Sequence, residues 1–194
     1  MTRWSLVVLL LLMTLPLPVA ALEFTAERIT RIDGRVRTAV IYYRDDRWRV
    51  EHNATGPVSI TIAREDKQLM WLLMPALRHF KTVPFDASQE PKVTEQLDGE
   101  IAREAIGSEV VDGHETTLYE VTTLEGPSHT KQVYYQWYAA DIRFPLKLAK
   151  KDDHWVVEYR HVGIRPVSDA LFQLPRHFRP VDAASSGRDR VAAK

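Results

Sequence analysis

KQVYYQWYAADIRFPLKLAKKDDHWVVEYRHV, residues 131–162, is the stretch on which the fold turns. Val133, Tyr135 and Trp137, then Trp155, Val157, Tyr159 and His161, put a large and mostly apolar side chain at every second position. That period lines one face of a pleated strand. Ala139-Ala140-Asp141 and Lys150-Lys151-Asp152-Asp153 interrupt it, and Pro145 stands where a strand can begin without owing the ladder a hydrogen bond. Three consecutive antiparallel strands are expected, and a sheet should dominate the chain.

The same pattern extends toward the N-terminus. Residues 22–33 form an expected first strand with Phe24 and Ile32 in one alternating set, and Asp33-Gly34 is a hairpin signal. In residues 35–44 both faces carry apolar surface: Val36, Val40 and Tyr42 on one, Ala39, Ile41 and Tyr43 on the other. After Asp45-Asp46, Trp48 and Val50 alternate with Arg47, Arg49 and Glu51. The charged set reads as solvated surface pairs, each worth under about 1 kcal/mol. Val58, Ile60 and Ile62 mark a fourth strand, and residues 69–74, LMWLLM, have no polar face under either period. Such a run needs cover on both sides, from a helix, the other limb of a curled sheet, or a ligand. Its methionines suit an adaptable lipid-facing surface, although an ordinary buried core strand fits the same run.

Residues 77–83 continue as a short strand, after which the composition turns polar. In residues 86–99, Asp86 or Ser88 could cap a helix, Pro91 fits a first turn, and Val93 and Leu97 stand four apart. A short helix is expected there, either as a flap across the sheet's mouth or as a plain surface connection. Residues 101–109 suit helix or strand equally. Residues 114–123 read as a strand after the Asp112-Gly113 turn, and residues 168–172 as one capped helical turn stopped by Leu174-Pro175. There is no internal repeat.

The termini differ from this body. Arg3, the apolar run 5–15 and the small residues Val19-Ala20-Ala21 have the form of a secretory signal peptide over residues 1–21, with cleavage expected after Ala21. The run is about half of the ~20 residues that would span a bilayer, so no transmembrane segment is expected once the signal is removed. Residues 22–181 form one expected domain, and residues 182–194 have nothing to bury and should be a disordered tail. There is no cysteine, which excludes both a disulfide framework and a lipid-modified cysteine after the signal. A soluble periplasmic protein follows. Loss of Arg3 leaves 25 basic against 26 acidic residues, a net of −1, so the basic excess of a nucleic-acid-binding protein is missing.

Several phrases in a fixed order resemble a bacterial periplasmic family related to the lipoprotein-carrier superfamily, the outer-membrane lipoprotein-sorting-like proteins. They are Arg49-Val50-Glu51; Arg64-x-Asp66 with Trp71-x-Leu73-x-Pro75; Ile106-Gly107-Ser108-Glu109 with Val111-Asp112-Gly113 and Tyr119-Glu120-Val121; Trp137 with Phe144-Pro145-Leu146-Lys147; and Leu171-Phe172-x-Leu174-Pro175 with Phe178. The resemblance implies a mainly β (α+β) fold: a single strongly curled antiparallel sheet, an open half-barrel, with one or two short helices at its mouth. In the carriers the concave face holds acyl chains without covalent chemistry. Each methylene withdrawn from water contributes about 0.8 kcal/mol, so a dry groove suffices for such a ligand. Trp48, Met70, Trp71, Met74, Tyr135 and Trp137 are the candidate lining, with a plain core role as the alternative for each.

Catalytic chemistry has no visible seat. The seven histidines lack metal-ligand spacing, His-Glu-x-x-His does not occur, and no Gly-x-Ser-x-Gly elbow or glycine-rich phosphate loop is present. No enzyme activity, metal or cofactor is expected. The expected function is the periplasmic binding of a lipid or a lipoprotein's acyl chain, in lipoprotein sorting or lipid transport. The alternative partner is an envelope protein, docked on a sheet whose interior is filled by its own side chains.

Overall fold

Asp33 and Gly34 both take positive φ, 48° and 76°, the two-residue turn whose twist matches the strands it joins. It connects β1 (Glu23–Ile32) to β2 (Arg35–Arg44), and a further antiparallel meander follows through β3 (Arg47–His52), β4 (Ile60–Arg64), β5 (Leu69–Met74) and β6 (His79–Pro84). A second meander runs through β7 (Glu100–Val111), β8 (His114–Glu125), β9 (Thr130–Ala139), β10 (Phe144–Lys150) and β11 (Trp155–Ile164). β1 pairs with β11, which joins the two meanders, and β12 (Arg179–Pro180) adds parallel to β6. The result is one curled, unclosed sheet in the order β12-β6-β5-β4-β3-β2-β1-β11-β10-β9-β8-β7. The computed structural model describes residues 22–53, 56–152 and 154–181. The expected signal peptide and C-terminal tail lie outside the described residues.

Cross-strand register sorts the side chains onto two faces. Tyr43, Trp48, Ala63, Met70 and Val83 stand opposite one another in turn from β2 to β6, beginning from Phe24 of β1. This inner face carries the main core. Phe24 stacks on Tyr43 with centroids 5.0 Å apart and meets Phe144 edge-on at 4.9 Å. The other face of β2–β6 carries Tyr42, Ile60, Ile62, Trp71 and Leu73, covered by Val167, Leu171, Phe172, Leu174 and Phe178. The apolar run of β5 is thus buried from both sides, because the chain after β11 folds back over the outer face.

Three arginines from successive strands fasten that cover. Arg44 of β2 donates to the Val167 carbonyl at 2.8 Å, Arg49 of β3 to Leu171 at 3.2 Å, and Arg64 of β4 to Phe172 at 3.1 Å. Each guanidinium is itself held by a carboxylate: Glu23 and Asp169, Glu51, and Asp66 respectively. The Arg49–Glu51 pair forms as the alternation suggests, yet the surface reading is corrected. The side chains of Arg49 and Arg64 are only 12% and 5% exposed, because the folded-back segment lies on them.

The expected helix over residues 86–99 is absent. Asp86 does cap, accepting from the Ser88 amide at 3.0 Å and the Ser88 hydroxyl at 2.7 Å, but the turn lasts only Ala87–Gln89. Glu90 leaves it with ψ 136°, since the ring of Pro91 disfavours α geometry in the residue before it. All helical structure among the described residues is of this single-turn 3₁₀ kind, so the short helices expected at the mouth of the sheet are replaced by turns, while the single turn expected over residues 168–172 is present as Asp169–Phe172 without a side-chain cap. Residues 101–109 resolve as strand, within β7.

Residues 85–99 connect β6, beside one sheet edge, to β7 at the other. They cross the inner face as a strap. Its Val93 and Leu97 are buried against that face, Gln136 donates to the Thr94 carbonyl at 3.2 Å, and the Leu124 amide donates to the Gly99 carbonyl at 2.9 Å. Gly99 has φ 69°, and a Cβ there would sit 2.3 Å from the Leu124 carbonyl oxygen.

Two substitutions test these closures. Gly99→Ala combines left-handed strain with a backbone clash and should lower unfolding free energy by about 1–3 kcal/mol in denaturant titration. Phe172→Ala leaves a void under the outer cover and should cost about 3–5 kcal/mol in the same measurement. Unchanged midpoints would remove the strap anchor and the cover, respectively, from the determinants of the fold.

Candidate functional site

Beneath the first part of the strap the inner face is not filled. A cavity of about 300 Å³ lies between residues 88–92 above and β1, β2, β3 and β11 below, at the lower end of the size range of ligand sites. Its apolar wall is built from Ala39, Trp48, Val50, Leu148, Trp155, Val157 and Tyr159. Ile32, Arg37, Ser88, Gln89 and Lys92 on its rim are exposed, so it opens to solvent there.

Its polar groups come from the same face. Register places Tyr159 of β11, Arg28 of β1, Ala39 of β2 and His52 of β3 opposite one another in one row. Thr30 and Arg37 face each other one step along the strands. The small Ala39 leaves a notch between Arg28 and His52. Burial, then the charges of Arg28 and Arg37, holds the His52 imidazole below its usual range. Its ring stands 3.5 Å from the Thr61 hydroxyl. Burial pushes the Tyr159 phenol up to about 12 against the opposing charge of Arg28. Across the strap, the Tyr43 hydroxyl donates to Glu90 at 2.9 Å, and burial raises that phenol well above its usual range.

The six residues expected to line a groove do not come together. Trp48 lines the cavity. Met70 shares its face but is packed at 2% exposure in the main core, and Met74 follows on the same face at the end of β5. Trp71 alternates with Met70 and therefore faces outward, among Ile62, Leu73 and Phe172. Tyr135 and Trp137 alternate with Tyr134 and Gln136, which face the strap through Leu97 and Thr94. They lie on the opposite face, where the Trp137 indole donates to Glu109 at 2.6 Å and the Lys147 ammonium sits 4.1 Å over its ring. The two-sided apolarity of the strands hid which set faced inward.

The residues that sequence reasoning missed had a readable signal. Arg28 falls in the alternating set of Phe24 and Ile32, Arg37 in that of Ala39, Ile41 and Tyr43, and His52 in that of Trp48 and Val50. A polar group in phase with apolar neighbours on three adjacent strands marks a cavity wall rather than a solvent face.

Among the described residues no cluster of three or more His, Asp or Glu side chains could hold a metal ion. The His114–Asp141 contact, 2.6 Å, ties two turns together at an exposed site and holds the Asp141 carboxyl below its usual range. No helix among the described residues is long and apolar enough to cross a membrane.

Comparison with known proteins yields structures rather than sequences. No family model matches the chain, and no curated protein matches it significantly. An uncharacterized conserved protein from Thermus thermophilus superposes with TM-score 0.56 at 13% identity, over 84% of this chain and 91% of that one. MucB, solved alone, gives 0.54 at 15% identity over 80% of this chain, which spans 58% of MucB's length. MucB has also been solved in complex with MucA(peri), and as a Pseudomonas aeruginosa MucA/MucB complex. The Mycobacterium tuberculosis lipoprotein LppX gives 0.50 at 16% identity, over 74% of this chain and 88% of LppX. At these identities the likeness is one of fold alone: the chain shares a curled, unclosed β-sheet with these structures.

Proposed function

We propose that this protein is a non-catalytic periplasmic binding protein that holds a lipid or a lipoprotein's acyl chain on the inner face of its curled sheet. The supporting observation is the open cavity under the strap, walled by Trp48, Val50, Leu148, Trp155 and Val157. A sheet fully packed by its own side chains would have none. The apolar wall favours an alkyl chain through the removal of methylenes from water, and the rim supplies an entrance. Sorting of lipoproteins or transport of lipid is the role this binding would serve.

A second reading has its own observation. β7 is one of the two edge strands of the sheet, and Ile101, Ile106 and Val110 along it are 59%, 47% and 66% exposed. An edge strand of this kind, paired on one side only, can add a strand from an envelope protein. MucB, which shares the fold, is found in complex with MucA.

Titration of the protein with an uncharged naphthylamine fluorophore separates the two. Saturable 1:1 binding is expected, weakened at least tenfold by Ala39→Leu, which fills the notch, and unchanged by Tyr135→Ala on the other face. Circular dichroism verifies that both variants fold. Absence of saturable binding to the parent protein would overturn the ligand reading in favour of the edge strand.

A further inference from the structure

Ion pairing among the arginines is uneven. Arg44, Arg47, Arg49, Arg64, Arg103 and Arg160 each have a carboxylate oxygen within 3.1 Å. Arg28 and Arg37 have no ion pair among the described residues, and the Arg28 Nε is buried without a hydrogen-bond partner. Both line the cavity, Arg28 within it and Arg37 at its exposed rim, where Lys92 adds a third cation against the single carboxylate of Glu90. That carboxylate is already engaged by the Tyr43 hydroxyl. A buried guanidinium N–H with no acceptor carries an uncompensated desolvation cost, and its planar fork fits a carboxylate or phosphate.

We propose that the ligand is an anionic amphiphile, its carboxylate or phosphate head seated in the notch over Ala39 between Arg28, Arg37 and His52, and its alkyl chain along Val50 and Val157. This rests on the binding reading above and adds the class of ligand. Three features place the head there. Arg28 stands directly across from Ala39 on the adjacent strand, and Ala39 directly across from His52, so the row has a small residue flanked by a guanidinium and an imidazole. Arg37 is diagonal to Arg28 on the same face, and side chains so placed are within joint reach of one small group. His52, whose imidazole is held below its usual range by burial and then by the charges of the same two arginines, lines the same cavity beside them. The apolar wall lies beside this cluster, in the same cavity.

Displacement of the naphthylamine fluorophore by matched twelve-carbon ligands tests the proposal. Dodecanoate and dodecyl phosphate, as anionic heads, are compared with dodecanol, dodecylamine, acetate and inorganic phosphate. At least one anionic amphiphile should bind tenfold or more tightly than dodecanol, with an affinity that falls as salt is raised. Arg28→Gln should reduce its affinity to that of dodecanol while leaving dodecanol unchanged, and Arg37→Gln should act in the same direction. The relative order of dodecanoate and dodecyl phosphate then identifies the head. Equal binding of dodecanol and both anions, or no effect of Arg28→Gln, overturns the head-group assignment while the apolar reading stands. Acetate or phosphate binding as tightly as the long-chain anions overturns it in favour of a free-anion site. Failure of every alkyl ligand and of the fluorophore overturns both readings together.

Discussion

A strand that is apolar on both faces must be covered twice, and the architecture follows from that requirement at β5. A single antiparallel sheet leaves one face wet unless something is laid over it. Here the inner cover is the sheet's own curl, which brings Phe24, Tyr43, Trp48 and Phe144 into one core with Met70. The outer cover is the chain after β11, led by Phe172, which is fully buried on Ile62 and Leu73. Apolar contact alone would leave that irregular segment free to slide. The hydrogen bonds from Arg44, Arg49 and Arg64 to its carbonyls fix its register, and the carboxylates behind each guanidinium keep those buried charges compensated.

Curling raises a second problem, since the two meanders end at opposite edges and the chain must travel between them. The 85–99 strap makes that crossing over the inner face, which is why it is neither a surface loop nor a helix. A short helix there would have satisfied its own backbone internally. The extended strap instead gives its Thr94 and Glu95 carbonyls to Gln136 and Arg103, and buries Val93 in one core cluster and Leu97 in another. The Val93 and Leu97 spacing is therefore that of a segment touching two distant places, although it coincides with a helical repeat.

Much of this is legible in the sequence. The alternating sets, Asp33-Gly34 and Asp112-Gly113 place strands and tight turns, and LMWLLM announces its need for two covers. What the sequence hides is sidedness. When both faces of a strand are apolar, alternation separates Met70 from Trp71 and Gln136 from Trp137 without saying which is inside, and only long-range pairing decides. Large aromatics draw attention as a lining, yet Trp71 and Trp137 serve the outer face. The same reasoning explains why Arg49 passes for a surface charge, since the segment that buries it lies more than a hundred residues away.

The inner face is consequently divided along the strands into two unlike halves. At the end marked by Phe24, Tyr43 and Phe144, aromatic rings meet at 4.9 to 5.0 Å and leave no room. Toward Ile32 and Trp155 the in-phase positions are instead taken by Arg28, Thr30, Arg37 and Ala39, side chains that are either small or charged. Charged side chains cannot interdigitate into a dry core without partners, and alanine cannot fill the space between them. The transition from filled to open therefore follows from side-chain type at fixed register. It also gives the cavity its polarity, apolar where it meets the core and cationic where it meets the solvent.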